Sequence, residues 1–477
     1  MGRISAAGER DALVSPPRSH KRSRAFSSYD QALRFLGDRV NIERTRPARV
    51  DRDAFKLDRM RALLDALNNP QRDVRCVHVA GSKGKGSVVE MCAAALTGAG
   101  YGVGVYTSPH LADVRERVRI GNVMIDPEGF TSAMSRVARA ASQMDASVGD
   151  PTYFEVMTAL ALTYFAEQAV DLAVIETGLG GRLDATNLVE PEVTVVTEIQ
   201  REHTALLGQT LAEIAREKAG IFKPGVPALT VAQPDEAMAA LRQAAEAIGA
   251  PFGVLGEDID FTWRFEASPE LGPHVRVCVN TARSSFEHIP VPLAGEHQAH
   301  NCGVALAVLD RLRERGIETS ELDVARGLSR TPANGRMEMV WTSPRIMIDG
   351  AHNPESIRAL VKSIGAHVKF DSMVAIFGCA SDKDVEGMLR EMSLGADKII
   401  FTQVSDNARA ADPKELARRF GEMSPKMVQI AATPKDAINM AARAVGREDL
   451  IVVTGSFHLA GEVKRLMLEA GSRQQAG

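Results

Sequence analysis

The sequence predicts an α/β protein in two parts: an N-terminal phosphate-loop domain with a mainly parallel sheet and a small antiparallel sheet, and a C-terminal α/β domain. Three observations carry this reading. An apolar run from Arg75 to Ala80 stops at a glycine turn and a helical pattern starts at Ser87, the strand–loop–helix order of a βαβ unit. Residues 252 to 293 change to short alternating runs such as Phe261-Thr262-Trp263-Arg264-Phe265, the pattern of antiparallel strands. Beyond residue 343 the strand–helix alternation begins again, in the order of a Rossmann-like sheet but without a phosphate loop of its own.

Taken in order, residues 1–27 set Arg3, Arg10, Arg18, Lys21, Arg22 and Arg24 against Glu9 and Asp11 with no hydrophobic period, which predicts a disordered basic tail. Helical spacing covers Tyr29 to Leu36 and Phe55 to Leu67. The first strand and its loop follow, then a helix from Val88 to Leu96, a strand from Val103 to Tyr106 and the loop Ser108-Pro109-His110. Helices are expected near Pro127–Ala141 and Phe154–Glu167, and a buried strand at 171–176 that ends on Glu176. A glycine-rich loop, 177–187, comes next, then a strand from Val193 to Ile199 leading to Arg201-Glu202-His203 and a helix that ends at Lys218-Ala219-Gly220. A further helix opens at Gly295. The expected divisions are 28–331 for the N-terminal domain, 332–343 for a linker carrying Asn334-Gly335-Arg336, and 344–477 for the C-terminal domain.

The chemistry centres on Gly81-Ser82-Lys83-Gly84-Lys85-Gly86-Ser87. Glycines let the backbone approach an anion, a helix N-terminus turns unpaired N–H groups toward it, and Lys85 adds a full charge. Ser87 offers a hydroxyl for Mg²⁺. A glycine loop that only turns a strand into a helix would need no two lysines beside three glycines. Glu176, an acid at the end of an apolar strand downstream of such a loop, is where a metal-binding carboxylate is wanted. Without the loop it would read as an ordinary strand-end charge. His203 and Lys218 say little alone, since imidazole is not a preferred Mg²⁺ ligand and a lysine near a helix end usually only complements the helix dipole.

Composition narrows the field. A chain of 477 residues is long enough for about two or three domains. Its 57 basic and 61 acidic residues leave a net charge of −4, without the basic footprint of a nucleic-acid partner. Five scattered cysteines without a C-x-x-C pair suggest reduced thiols and a cytoplasmic protein, and no apolar run reaches membrane-spanning length.

The order and spacing of these motifs together resemble the folylpolyglutamate synthase and bifunctional dihydrofolate synthase family of the Mur ligase superfamily, from about Tyr29 to the C-terminus. The matching stretches are the G-x-x-G-K-G-S loop, Tyr106-Thr107-Ser108-Pro109-His110, Glu176 with Gly178-Leu179-Gly180-Gly181, His203, Lys218-Ala219-Gly220, His297-Gln298 with Asn301, Gly335-Arg336 with Glu338, Asp349-Gly350-Ala351-His352-Asn353-Pro354 and Thr454-Gly455-Ser456. The resemblance implies that Gly81, Ser82, Lys83, Gly84, Lys85, Gly86 and Ser87, with Asn301, Arg336 and Asp349, bind ATP across both domains. It implies that Ser87, Ser108, Glu176 and His203 hold magnesium, two ions in all, that Lys218 is carbamylated, and that His352 lies near the nucleotide or phosphate. Lys85, Lys218 and His352 are then the catalytic candidates. Thr152, Tyr153, Phe154 and Glu155, with Leu183, Asp184 and Ala185, match dihydropteroate-contacting positions. Two departures stand out: Lys83 where the family usually has asparagine, and Glu202 where it usually has aspartate.

The implied reaction is that of a monomeric enzyme working on small molecules. ATP phosphorylates a carboxylate of dihydropteroate or a reduced folate, and the amine of L-glutamate attacks the acyl phosphate, with the protein positioning the groups and neutralising charge. The rivals are a Mur-type ligase acting on a peptidoglycan precursor and a nucleotide-binding switch or ATPase that makes no new bond.

Overall fold

The computed structural model describes residues 25–41, 56–405 and 409–475. An eight-stranded sheet is made by β1 (Cys76–Ala80), β2 (Val103–Tyr106), β3 (Val118–Ile120), β4 (Val123–Met124), β5 (Leu172–Glu176), β6 (Pro191–Val196), β7 (Ala228–Thr230) and β8 (Phe252–Val254). Their order is β4-β3-β2-β5-β1-β6-β7-β8, parallel from β2 to β8, with β3 and β4 added antiparallel at one edge. The central strands β1 and β5 are buried along their whole length, which is why their sequences run apolar instead of alternating.

Both faces of this sheet are covered. On one lie the helices Lys85–Gly98 and Glu296–Arg313, sharing a core with Val277, Val279 and Phe286 of a three-stranded antiparallel sheet, β9 (Asp260–Ser268), β10 (Gly272–Asn280) and β11 (Ser285–Pro290). On the other, the helices Tyr29–Gly37, Leu57–Ala66, Pro127–Ala141 and Tyr153–Glu167 bury Leu36, Leu64, Phe130 and Phe165.

A six-stranded sheet follows, built from β12 (Glu338–Thr342), β13 (Arg345–Ile348), β14 (Met373–Phe377), β15 (Lys398–Phe401), β16 (Met427–Ile430) and β17 (Leu450–Thr454). The order is β12-β13-β17-β14-β15-β16, parallel except for β12. Leu111, just after the Ser108 loop, packs into the core of this second sheet beside Ile346 and Ile348, tying the two halves at the site.

The structure amends several expectations. Within 332–343, read as a linker, β12 pairs with β13 through a bulge between Met339 and Trp341 that breaks the alternation. Residues 252–254 belong to the parallel sheet, so the antiparallel sheet begins only at Asp260. The strand expected to reach Ile199 stops at Val196, and 197–199 turn toward the site. Of the expected tail 1–27, all but the last three residues lie outside the described residues. Phe26 is already part of the fold, its amide donating to Ser135 Oγ at 2.9 Å and its ring packed against Phe35. Elements that went unread include β3, β4 and β16 and the helices Thr204–Leu207, Glu321–Leu328 and Phe457–Gln475.

Candidate active site

The carboxyl ends of β2, β5, β1 and β6 lie side by side, and their loops carry Ser108, Glu176, the phosphate loop and the 197–203 segment. Opposite them stand the carboxyl ends of β13, β14, β15 and β17. Between the two sets is a cavity of about 1130 Å³. Ligands in parallel sheets collect at strand carboxyl ends. Here two sheets present those ends to one space.

The phosphate loop is held from below. The amides of Ser82 and Lys83 donate to Glu198 O at 2.9 and 3.1 Å, and Ser82 Oγ to Gln200 O at 3.1 Å. Gly84 precedes the helix with φ at 89°, in the left-handed region, and a side chain there would collide with Asn301 Oδ1. The helix then starts at Lys85, two residues earlier than its hydrophobic pattern indicates. Lys85 folds back so that Nζ donates to Gly81 O at 3.0 Å. Asn301 is itself oriented by a 2.9 Å bond from Nδ2 to Gln298 Oε1, and Arg336 lies so close that a Cβ on Gly86 would strike its guanidinium.

Glu176 is 5% exposed and accepts the Ser108 amide at 3.1 Å. Burial raises its pKa, partly opposed by Lys85 and that amide. With the hydroxyls of Ser87 and Ser108 it makes an all-oxygen donor set beside the loop, which suits Mg²⁺. Among the described residues no three His, Cys, Asp or Glu side chains gather as a protein-only metal site, so an ion here would draw further ligands from hydroxyls, water or phosphate.

Lys218 is 1% exposed and bridges two partners, Gly81 O at 2.7 Å and Glu202 Oε1 at 2.9 Å. As it stands it is the cation of an ion pair, and the extra methylene of Glu202 over aspartate lengthens the arm that meets it. Burial lowers the Lys218 pKa to about 8 although Glu202 resists. Burial would raise Glu202, but Lys218, Lys85 and His203 more than offset it and hold the carboxyl at about 2. His203 sits at φ 47° and opens onto the cleft, whose walls lower its pKa.

From the opposite sheet, Asp349 accepts the Met337 amide on Oδ2 at 2.9 Å and the Ala351 amide on Oδ1 at 2.8 Å, and burial raises its pKa to about 6. His352 has Nδ1 3.0 Å from Gly350 O, and a carbonyl only accepts, so Nδ1 carries the proton. Burial, with Lys83 and Lys383 nearby, pushes the ring to about 3, so it is neutral. Lys83 Nζ faces Nε2 at 3.4 Å, a contact that spans the two halves.

Of the expected pterin positions, Thr152, Phe154, Glu155, Leu183, Asp184 and Ala185 line the cavity. Tyr153 does not: it is buried under Arg117, whose guanidinium lies 5.3 Å from the ring centroid. Glu155 is engaged in a capping box with Thr152 and a 2.7 Å ion pair with Arg59. Asp184 holds its own loop, accepting from Leu179 N at 2.8 Å and from Thr186 N and Oγ1. The cavity also takes in Glu198, Glu202, His297 and Lys383. Lys383 stands in a polar strand-end loop visible in the sequence, but a loop lysine has no periodicity that points it inward.

Comparison with known proteins adds the family context. Residues 79–309 match the Mur ligase middle domain and residues 335–457 the Mur ligase glutamate ligase domain. The chain is 34% identical over 412 residues to the dihydrofolate synthase/folylpolyglutamate synthase of Bacillus subtilis (strain 168), covering 86% of this chain and 94% of that protein. Its fold superposes on Mycobacterium tuberculosis folylpolyglutamate synthase complexed with ADP with a TM-score of 0.81 at 32% identity, over 92% of this chain and 98% of that one. E. coli FolC in complex with DHPP and ADP gives a TM-score of 0.78 at 30% identity, over 94% and 99%.

Proposed function

Because this chain belongs to the dihydrofolate synthase/folylpolyglutamate synthase family of Mur ligases, we infer that it joins L-glutamate both to dihydropteroate and to reduced folates. It is an ATP-dependent, ADP-forming ligase. The observation that carries the dual reading is the single cavity in which the phosphate loop, Glu176 and the 183–185 loop face Asp349 and His352. A carboxylate is a poor acyl donor, so ATP converts it to an acyl phosphate, and the glutamate amine then displaces phosphate at that carbonyl.

Each residue's task follows from its position. Lys85 and the loop amides beyond Lys83, which are not tied to Glu198, neutralise the phosphates, with Arg336 reaching in beside Gly86. Asp349 has lone pairs left after its two backbone bonds and can accept nucleotide hydroxyls while it fixes the turn that presents Arg336. Ser87, Ser108, Glu176 and His203 are the magnesium ligands of this reading, and two bound ions would offset charge on the transferring phosphoryl group. Apposition of the two halves keeps water from the acyl phosphate. In this reading the enzyme acts as a monomer, and its five free cysteines fit the reducing cytoplasm.

Lys218 works as a carbamate in this scheme. Carbon dioxide adds only to a neutral amine, and a pKa brought down to about 8 leaves a usable neutral fraction near physiological pH. The new anion would leave Glu202 and turn repulsion of a metal ion into attraction. Intact mass at high bicarbonate should rise by one carbamate, and Lys218→Arg should lose most activity; full activity in that variant would refute the role.

The overall reading is tested by product mass. Dihydropteroate and a reduced folate should each gain one glutamyl residue when incubated with ATP, Mg²⁺ and L-glutamate. Extension of the reduced folate alone would restrict the enzyme to polyglutamate synthesis.

A further inference from the structure

His78 has no part in the reaction as described, yet it occupies the middle of β1, between β5 and β6, and is fully buried. Its strand neighbours Val77 and Val79 show what such a position ordinarily holds. An imidazole taken out of water loses the hydration of two nitrogens, so its presence calls for a compensating bond. That bond is to the glycine-rich loop: Nε2 lies 2.8 Å from Thr186 Oγ1, and Thr186 Oγ1 lies 2.5 Å from Asp184 Oδ1.

The far end of this chain fixes its direction. Burial raises the Asp184 pKa, but its two oxygens already accept the Leu179 and Thr186 amides, so it meets Thr186 as an acceptor: the hydroxyl proton points at Oδ1, and the hydroxyl oxygen is left to accept from His78. Nε2 therefore carries the imidazole proton. Burial lowers the ring's pKa to about 3, which keeps it neutral with one proton to place. Nδ1 is bonded by none of the described residues, so the ring's single donor is committed to Thr186. Asp184 is 4% exposed and its Oδ2 takes the Leu179 amide at 2.8 Å, so the carboxylate is fixed from two sides. It stands in the cavity wall beside Leu183 and Ala185.

We propose that His78 is a positioning residue for the pterin site, setting the orientation of Asp184 and its loop through the relay His78 Nε2–H to Thr186 Oγ1–H to Asp184 Oδ1. The central strand of the sheet would thus carry the phosphate loop at its end and the rigid support of the substrate loop at its middle. This inference rests on the folate reading above and adds to it a source of substrate specificity that touches no substrate.

The test is steady-state kinetics on the full chain, varying dihydropteroate and ATP separately, with melting temperatures alongside. Thr186→Val keeps the shape and removes the hydroxyl; His78→Leu removes the buried donor. Each should raise KM for dihydropteroate about tenfold while KM for ATP stays within about twofold. Thr186→Ser and His78→Gln, which restore a hydroxyl and a donor near the Nε2 position, should recover most of the loss. The double variant should be no worse than either single one, because one relay is broken twice. An unchanged dihydropteroate KM in Thr186→Val overturns the relay, as does an equal rise for both substrates that serine does not repair. Should the His78 variants fail to fold, the Thr186 pair decides alone. Wild-type protein inert toward both dihydropteroate and a reduced folate would instead refute the folate reading, a result obtained before any variant is made; if only the reduced folate is extended, the same variants are read on its KM.

Discussion

Lys85→Ala is expected to lower turnover by about 10²- to 10³-fold or more with either pterin substrate, because it removes the loop's cation where charge develops in phosphoryl transfer. In the structure the ammonium is parked on Gly81 O at 3.0 Å, a single neutral acceptor it can leave for phosphate. Lys85→Arg should recover only a small part, since the larger planar group cannot occupy the same point. The measurement is kcat with each substrate, with a melting curve to confirm that the fold is intact. Wild-type kcat in a folded Lys85→Ala protein would place the phosphates elsewhere.

Asp349→Ala should combine a loss of stability with a loss of nucleotide handling. Its carboxylate is buried and takes two amides, so truncation leaves Met337 N and Ala351 N without their acceptor, at about 2–5 kcal/mol for the pair. Arg336, one residue before Met337, then loses its fixed approach to the loop, and KM for ATP should rise at least about tenfold. The pH dependence has a definite sign. Burial raises the folded pKa to about 6 from an ordinary 3.8, so the native state binds the proton more tightly than the unfolded chain does. That contribution stabilises at low pH and is lost as pH rises through about 6. The stability gap between wild type and variant should therefore narrow by about 1 kcal/mol from pH 5 to pH 8. A gap that widens would show that the carboxylate is stabilised as an anion.

The phosphate loop, Glu176 and the two α/β alternations were legible because each is local: a glycine cluster after an apolar run, an acid at the end of another, apolar residues at helical or buried-strand spacing. What lay beyond the sequence is long-range. Nothing near Lys218 announces that Glu202 will meet it across a turn, and a lysine in a helix's last turn has an adequate local explanation. The strand Glu338–Thr342 hid because a bulge breaks its alternation, and β16 because Met427 and Ile430 are exposed at a sheet edge. Tyr153 shares a sequence stretch with Thr152 and Phe154, yet on a helix successive residues point about 100° apart, which sends its ring into the core instead of the cavity. His78 was visible as a polar residue inside an apolar strand, but its meaning depends on Thr186, 108 positions away.

The central claim is that nucleotide cleavage here serves bond formation, and phosphate release from Mg-ATP tests it most directly. Purified protein with 7,8-dihydropteroate should release little phosphate until L-glutamate is added, then one phosphate for each glutamyl bond formed. Equal release with and without glutamate would contradict the account and make the protein an ATPase.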